Sequence, residues 1–228
     1  MTTYQRKQIA VINEIEKQVN NNSLQFSLVS PVEDYEDDSR LCLTSVHIPK
    51  KSLKEQIVKQ VIDPLRGVEP NCFYYSQDSL HMTIKNIRVI NDPPHFAQSD
   101  IAKAEKVFSQ VVPNHENFKV YFYRLLLFPN NLALIGTTDE ELDDLVLDLD
   151  SKLKEAGVPD DKKYTNDKYF FSNMTLARFP EPSDQFKLKV KELSESISIE
   201  PYTIDSVTLL TCNAVFKKRN MINTWPLK

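Results

Sequence analysis

A short pattern of polar residues occurs twice in this chain of 228 residues. Residues 79–84 read Ser-Leu-His-Met-Thr-Ile, and residues 171–176 read Phe-Ser-Asn-Met-Thr-Leu. The imidazole of His81 has an ordinary pKa of about 6.5, which suits it to accept or donate a proton near neutral pH. The hydroxyl groups of Thr83 and Thr175 can hydrogen-bond the non-bridging oxygens of a phosphate. In the second copy Asn173 replaces the histidine, and an amide donates hydrogen bonds but cannot transfer a proton in this pH range.

Both copies lie in segments that read as β-strands, and alternate side chains of a strand share one face. His81, Thr83 and Lys85 are therefore expected on one face, with Met82 and Ile84 on the other. Asn173 and Thr175 likewise oppose Met174 and Leu176. If the apolar rows pack under helices, the polar rows line a shared groove.

The two motifs resemble those of the two-histidine phosphoesterases, the superfamily of bacterial 2′-5′ RNA ligases and 2′,3′-cyclic nucleotide phosphodiesterases. Its signature is two His-x-Thr/Ser-hydrophobic motifs. Residues 40–49 look like the opening strand of the family, residues 128–136 like its central hairpin, and residues 175–178 like the end of its second motif. The resemblance covers roughly residues 40–217. Asn173 departs from the signature, so only one motif histidine is present.

The resemblance implies a metal-independent phosphoesterase that acts on RNA termini or small nucleotides and needs no cofactor. His81, Thr83 and Thr175 would be catalytic, and Asn173, Arg178 and Lys85 would bind the substrate. Arg178 is assigned by its match to the family, and Lys85 by its shared face with His81. Since loss of one general acid or base removes about 10²–10⁴ of rate, phosphate binding is expected to survive better than catalysis. The expected partner is an RNA end or a small nucleotide that carries a phosphodiester, and the chain is expected to be a monomer.

Each of these residues also has a structural explanation. His81 and Lys85 could be solvated strand residues, and Asn173 could be a structural hydrogen-bonding group. Arg178 lies an odd number of residues from Asn173, so only a bulge would bring it to the same face; otherwise a surface ion pair explains it. Two other functions stay open, a non-catalytic module that binds nucleotides or RNA ends, and an interaction domain with a vestigial groove.

The composition restricts how a phosphate could be held. The chain has 3 glycines, Gly67, Gly136 and Gly157, which are isolated from one another, so no glycine-rich phosphate loop exists. The 3 cysteines are far apart in sequence and suggest neither a disulfide framework nor a zinc site. A net charge of −4 argues against broad attraction to duplex DNA. With no long apolar run, we expect no membrane contact and a cytoplasmic location.

The order of the predicted strands and helices indicates an α+β fold of antiparallel sheets with outer helices. Together with the repeated motif, the resemblance implies two pseudo-symmetric lobes, each an antiparallel sheet with outer helices, around a central groove. Residues 1–35 are predicted to form an N-terminal helix and loop extension, and residues 36–228 a single bilobal domain. The patterns Ser52-x-x-Glu55 and Thr138-x-x-Glu141 are predicted to cap two helices. Pro64 and Gly67 are predicted to end the first of these. A strand over residues 24–30 and a final strand pair between residues 203 and 225 are also predicted.

Overall fold

The computed structural model describes residues 1–24, 28–162, 166 and 168–228. Within these residues the chain forms six α-helices and nine β-strands. The helices are α1 (Thr3–Asn20), α2 (Lys51–Ile57), α3 (Asp63–Val68), α4 (Gln98–Val111), α5 (Glu141–Glu155) and α6 (Asp184–Ser196). The strands are β1 (Leu41–His47), β2 (Phe73–Tyr74), β3 (Met82–Asn91), β4 (Phe118–Phe128), β5 (Asn131–Thr138), β6 (Ser172–Arg178), β7 (Tyr202–Ile204), β8 (Ser206–Cys212) and β9 (Arg219–Pro226).

The strands form two antiparallel sheets. The first has the order β3-β1-β8-β9 and the second β2-β6-β5-β4-β7. Helices α4 and α5 pack on the first sheet, through β9 and β3, while α6 packs on β4 of the second. The sheets meet where β3 contacts β6. The predicted α+β fold, with two lobes around a groove, is therefore confirmed.

The main core lies between the sheets and their outer helices. It includes Leu43 of β1, Met82 of β3 and Met174 of β6, all of which are fully or almost fully buried. The methionines of both sequence motifs thus point away from the groove, as their alternation with polar residues predicts. In the part of the chain that is described, no helix has the length and apolar character needed to cross a bilayer.

Helix α1 packs on the inner face of the second sheet. Its residues Ile12 and Ile15 form a small cluster with Leu126, Ala133 and Ile135. The fully buried Gln8 adds hydrogen bonds to this contact. Its amide nitrogen donates to Thr138 Oγ1 and to the Phe170 carbonyl. Its amide oxygen accepts from the backbone N–H of Thr138. The predicted N-terminal helix is therefore part of the groove wall.

The predicted helix caps at Ser52 and Thr138 are wrong. Helix α2 begins at Lys51, two residues earlier than the pattern requires, so Ser52 lies inside its first turn. Thr138 is the last residue of β5, and its hydroxyl accepts a hydrogen bond from Gln8. Helix α5 begins after Glu140, with no side-chain cap. Tertiary hydrogen bonding thus replaces local capping at Thr138.

Pro64 does not end the helical segment that begins with α2, because the turn before Pro64 is wider than an α-helical turn. Residues 58–62 are π-helical, and the N–H of Asp63 bonds the carbonyl of Val58, five residues earlier. This turn joins α2 to α3, in which Pro64 lies near the start, where its missing N–H removes no required bond. The helix continues through Gly67 to Val68.

The end of the chain forms three strands, β7, β8 and β9, where a pair was predicted. The short β7 pairs with β4 in the second sheet, while β8 and β9 pair in the first. The strand predicted over residues 24–30 lies partly outside the described residues, and residues 28–30 are not in a strand.

Candidate functional site

A cavity of about 510 Å³ lies between the inner faces of the two sheets. The first sheet and its loops contribute polar and thiol groups to its lining, namely Arg40, Cys42, Thr44, His81, Thr83, Asn86, Cys212 and Asn213. The second sheet contributes Asn131, Asn173, Thr175 and Arg178. Both sequence motifs therefore reach one cavity, as the alternation of polar and apolar residues predicts.

His81 precedes β3 and is fixed by its surroundings. Its Nδ1–H donates to the carbonyl oxygen of Ser79 at 2.8 Å, which leaves the lone pair on Nε2. Its ring stacks on Phe216, with the centroids 4.2 Å apart. Burial lowers the pKa of His81 to about 4, and the positive charges of Arg178 and Arg219 act in the same direction. At neutral pH the imidazole is uncharged and can accept a proton.

The polar row of the second sheet follows from strand register. In β6 Asn173 pairs with Ile135 of the neighbouring β5, and Thr175 pairs with Ala133. The side chains of Asn173, Thr175 and, on the first sheet, Thr83 make no hydrogen bond to any residue that the structure describes. Their amide and hydroxyl groups are therefore available to a ligand in the cavity.

Arg178 reaches the cavity through the bulge that its position required. The register of β6 shifts between the pairs Ala133–Thr175 and Leu132–Ala177, so Leu176 is an extra residue in the strand. Leu176 and Ala177 both pack in the core, and Arg178 returns to the inner face.

The guanidinium of Arg178 is held in place by residues just after β2 and β8. Its Nε donates to the Tyr75 hydroxyl at 3.0 Å, and Nη2 donates to the Ala214 carbonyl at 3.3 Å. Arg178 is 7% exposed, so its positive charge lies in a largely desolvated position beside the cavity. Within the described part of the chain Arg178 forms no salt bridge, so the surface ion pair that the sequence left open is not seen there.

Lys85 does not line the cavity, so its predicted face is wrong. Its ammonium group is buried, at 2% side-chain exposure, and pairs with Asp150 of α5 at 3.0 Å and with Asp160. In the pairing of β1 with β3, Val46 pairs with Thr83 but its neighbour Ser45 pairs with Lys85, so the register shifts between them. Because of this irregularity, the side chains of β3 no longer alternate simply between the two faces after Thr83. Lys85 therefore fastens α5 and the loop after it to β3.

Several residues in or beside the cavity were not predicted from the sequence. Phe216 supports the His81 ring from a left-handed backbone conformation, with φ of 63°. Lys162 lines the cavity, and burial lowers its pKa. Cys42 and Cys212 also line the cavity. Only pairing of β1 with β8 brings these cysteines together, and no local pattern indicates that pairing.

One end of the cavity is apolar. Ile15 of α1 lies there with Ile135, Phe128 and Phe171. Of the two aromatic segments in the sequence, residues 169–171 line the cavity, whereas Phe73 and Tyr74 pack against the core. Among the described residues, no group of three or more His, Cys, Asp or Glu side chains is arranged to hold a metal ion.

The fold is similar to that of several solved structures. A conserved protein of unknown function from Agrobacterium tumefaciens has a TM-score of 0.60 and 14% identity, over 92% of this chain and 97% of that one. E. coli LigT in complex with ATP has a TM-score of 0.53 and 15% identity, over 83% of this chain and 99% of that one. The LigT complex with 3′-AMP gives a TM-score of 0.53 at 14% identity, with the same coverage.

No family profile matches the chain, and no curated protein matches it. The structural similarity nevertheless extends over nearly the full length of LigT. The chain therefore has the fold of the two-histidine phosphoesterases, as its motifs predict, with an asparagine in the second motif.

Proposed function

We propose that the groove binds the phosphate group of a small nucleotide or of an RNA terminus, and that His81 opens 2′,3′-cyclic phosphodiesters there at a low rate. The observation that carries this proposal is the convergence of His81 and Thr83, from one sheet, with Asn173 and Thr175, from the other, on one cavity. Membership of the two-histidine phosphoesterase family is part of the proposal.

Solved complexes of the same fold support nucleotide binding. LigT has been crystallised with ATP, with 3′-AMP and with NADP⁺. These ligands share a ribose phosphate and an adenine ring. In this chain the polar row beside Arg178 would take the phosphate, and the apolar end at Phe128 and Phe171 would take the base.

The phosphate would be held by side chains. Arg178 supplies a fixed positive charge, and the Thr83 and Thr175 hydroxyls and the Asn173 amide supply neutral donors. A charged hydrogen bond of this kind contributes about 1.5–3 kcal/mol. The overall charge of −4 does not oppose this, because recognition is confined to a cavity that contains a buried cation.

The groove supplies a side chain for only one of the two proton transfers that hydrolysis requires. In cyclic phosphate hydrolysis a water oxygen bonds to phosphorus and the bond from phosphorus to a ribose oxygen breaks. The Nε2 lone pair of His81 can take the proton of that water, since Nδ1 already donates to Ser79. Asn173 cannot give a proton to the leaving ribose oxygen, so solvent water must supply it. Turnover is therefore slow.

A second candidate, binding without turnover, is favoured by the environment of His81. A base whose pKa is lowered to about 4 is a weak proton acceptor, and the negative charge of a bound phosphate must first raise its pKa. If that increase is small, the groove binds nucleotides but does not cleave them.

The experiment measures binding and hydrolysis separately. Calorimetric titration with 3′-AMP should give saturable binding that Arg178→Ala weakens by about 10–100-fold. Hydrolysis of 2′,3′-cyclic AMP should be detectable in the wild type, absent in His81→Ala, and about 10²–10⁴-fold faster in Asn173→His. The exposed loop residue His95 provides the matched control, His95→Ala, which should behave as wild type.

The outcomes separate the candidates. Binding of 3′-AMP with no hydrolysis in the wild type supports the binding module. Wild-type hydrolysis as fast as that of Asn173→His refutes the argument that the second imidazole is missing. Absence of any binding, by wild type and Asn173→His alike, refutes both and leaves a vestigial groove.

A further inference from the structure

Two thiols lie side by side in the wall of the cavity. Cys42 of β1 is directly opposite Cys212 of β8 in the antiparallel register. Their Sγ atoms are 3.5 Å apart, and both residues line the cavity. The two thiols are reduced in this structure. They are separated by most of the chain in sequence, so only the sheet topology brings them together.

We propose that Cys42 and Cys212 form an oxidation site, at which a peroxide converts the two thiols into an intramolecular disulfide. The Cys42 sulfur attacks one peroxide oxygen, the O–O bond breaks, and hydrogen peroxide yields a sulfenic acid and one water. The Cys212 sulfur then attacks the sulfenic sulfur and displaces a second water. The two cysteines lose two electrons and two protons, and the peroxide gains them.

The backbone geometry suits this bond. Residues directly opposite on antiparallel strands have Cα atoms roughly 4.5–5.5 Å apart, within the range of about 4.4–6.8 Å found in disulfides. The sulfurs must approach by about 1.5 Å to reach a bonded length near 2.05 Å. Rotation of the two side chains can supply this movement, because both strands stay in the same sheet.

The two thiols differ in a way that assigns their roles. Cys42 is half-buried on the cavity side, so a small oxidant that enters the cavity reaches it, whereas Cys212 is 4% exposed. The hydrogen bond from the Cys212 thiol lowers the pKa of Cys42, and the positive charge of Lys162 acts in the same direction. That same hydrogen bond raises the pKa of Cys212. The exposure of Cys42 to the cavity therefore assigns it as the attacking sulfur and Cys212 as the resolving one.

The disulfide would form next to the support of His81. Cys212 packs with Phe216 in a small cluster that also includes Val46 and Leu210, with Cys42 against it. Phe216 in turn stacks on the His81 ring. A covalent link between β1 and β8 therefore changes the packing one residue away from the imidazole, whether or not the groove binds nucleotides.

Cys72 is the internal control. It lies in the main core, away from the cavity, and burial raises its pKa to about 11. No described cysteine lies within bonding reach of it. It should remain a thiol under conditions that oxidise the other pair.

The experiment treats the folded protein with hydrogen peroxide and counts free thiols, then maps the disulfide by mass spectrometry of unreduced peptides. The wild type, with 3 cysteines, should lose two thiols and yield one peptide pair, Cys42 with Cys212. Cys72→Ser should lose both of its thiols, and a reductant should restore them. Cys42→Ser and Cys212→Ser should form no intramolecular disulfide, and their circular dichroism spectra check that they fold.

Three results would overturn the proposal: a disulfide that includes Cys72, a disulfide that joins two chains, or oxidation of Cys42 to sulfinic acid without a disulfide in the wild type. If Cys42→Ser does not fold, Cys42→Ala takes its place. Nucleotide titration is not part of the readout, so failure of the proposed function leaves this test unchanged.

Discussion

The buried imidazole of His81 should make the protein less stable in mild acid. Its pKa is about 4 in the folded chain, against an ordinary value of 6.5, because burial opposes its charged form. The unfolded chain therefore binds a proton between these pH values that the folded chain does not. The contribution of neutral His81 to stability is complete above pH 6.5 and is lost as the pH falls toward 4.

The size of the effect follows from the difference between the two pKa values. One unit of pKa corresponds to about 1.4 kcal/mol, so the whole difference amounts to about 3 kcal/mol of unfolding free energy at pH 4. Small domains have about 5–15 kcal/mol in total, so this loss is large enough to measure.

The assay compares wild type with His81→Gln by urea denaturation at several pH values from 7.5 to 4. Other groups titrate in both proteins, so only the difference between them is interpreted. At pH 7.5 the wild type should be the more stable protein, because the variant loses the bond to Ser79 and the stacking on Phe216. As the pH falls below 6.5 the difference should shift toward the variant by about 1.4 kcal/mol per pH unit.

The exposed His95 gives the control, since His95→Gln should follow the wild type throughout. A difference between wild type and His81→Gln that stays constant with pH would refute the reasoning, because it would mean that His81 titrates alike in the folded and unfolded chains. Added 3′-AMP should reduce the pH dependence of the wild type if its phosphate binds beside the imidazole.

Two further predictions concern Lys85 and Gln8, which lie outside the polar row of the groove and stabilise the elements around it. Lys85→Met should lower the unfolding free energy by about 3 kcal/mol, because it leaves Asp150 and Asp160 without their buried cation, while the affinity for 3′-AMP measured by calorimetry stays unchanged. If Lys85→Met instead lost affinity for 3′-AMP while its unfolding free energy stayed unchanged, Lys85 would have to contact the ligand in the groove. Gln8→Ala should lower the unfolding free energy by about 2 kcal/mol in urea denaturation, because it removes the side-chain acceptor of the buried Thr138 backbone N–H and the amide donor to the Phe170 carbonyl. An equal loss from the exposed change Lys7→Ala would contradict this explanation.

The parts of the fold that could be predicted from sequence are those set by local periodicity. Alternation of polar and apolar residues places Met174 in the core and Asn173 and Thr175 in the groove, and the strand register agrees. Helical spacing predicts α1 and buries Ile12 and Ile15 on one side. These features depend only on residues that are close together in the sequence, so the sequence shows them directly.

The parts that could not be predicted depend on where strands leave their ideal register. A bulge at Leu176 turns Arg178 into the cavity. A register shift beside Val46 has the opposite result for Lys85, whose side chain is turned away from the cavity. Each shift changes which face every later residue occupies. The sequence indicates that Arg178 needs such a bulge, but it contains no sign of the one near Lys85. The Asp150 and Asp160 partners of Lys85 lie on a distant segment, so no local pattern could identify them.

The position of α1 determines which ligands the groove can accept. Ile12 and Ile15 cover Ala133 and Ile135, the β5 residues that pair with Thr175 and Asn173. The inner face of the second sheet is therefore open along β6 and partly covered by α1 at β5. A continuous nucleic acid strand lying across that sheet would have to displace α1 and break the Gln8 hydrogen bonds, whereas the proposed ligands, a mononucleotide or a chain terminus, would need only the existing cavity of about 510 Å³. If the proposed function is correct, the groups present hold a phosphate and the absent imidazole would have transferred a proton, so we expect selection of a terminal phosphate to be the main property of this groove.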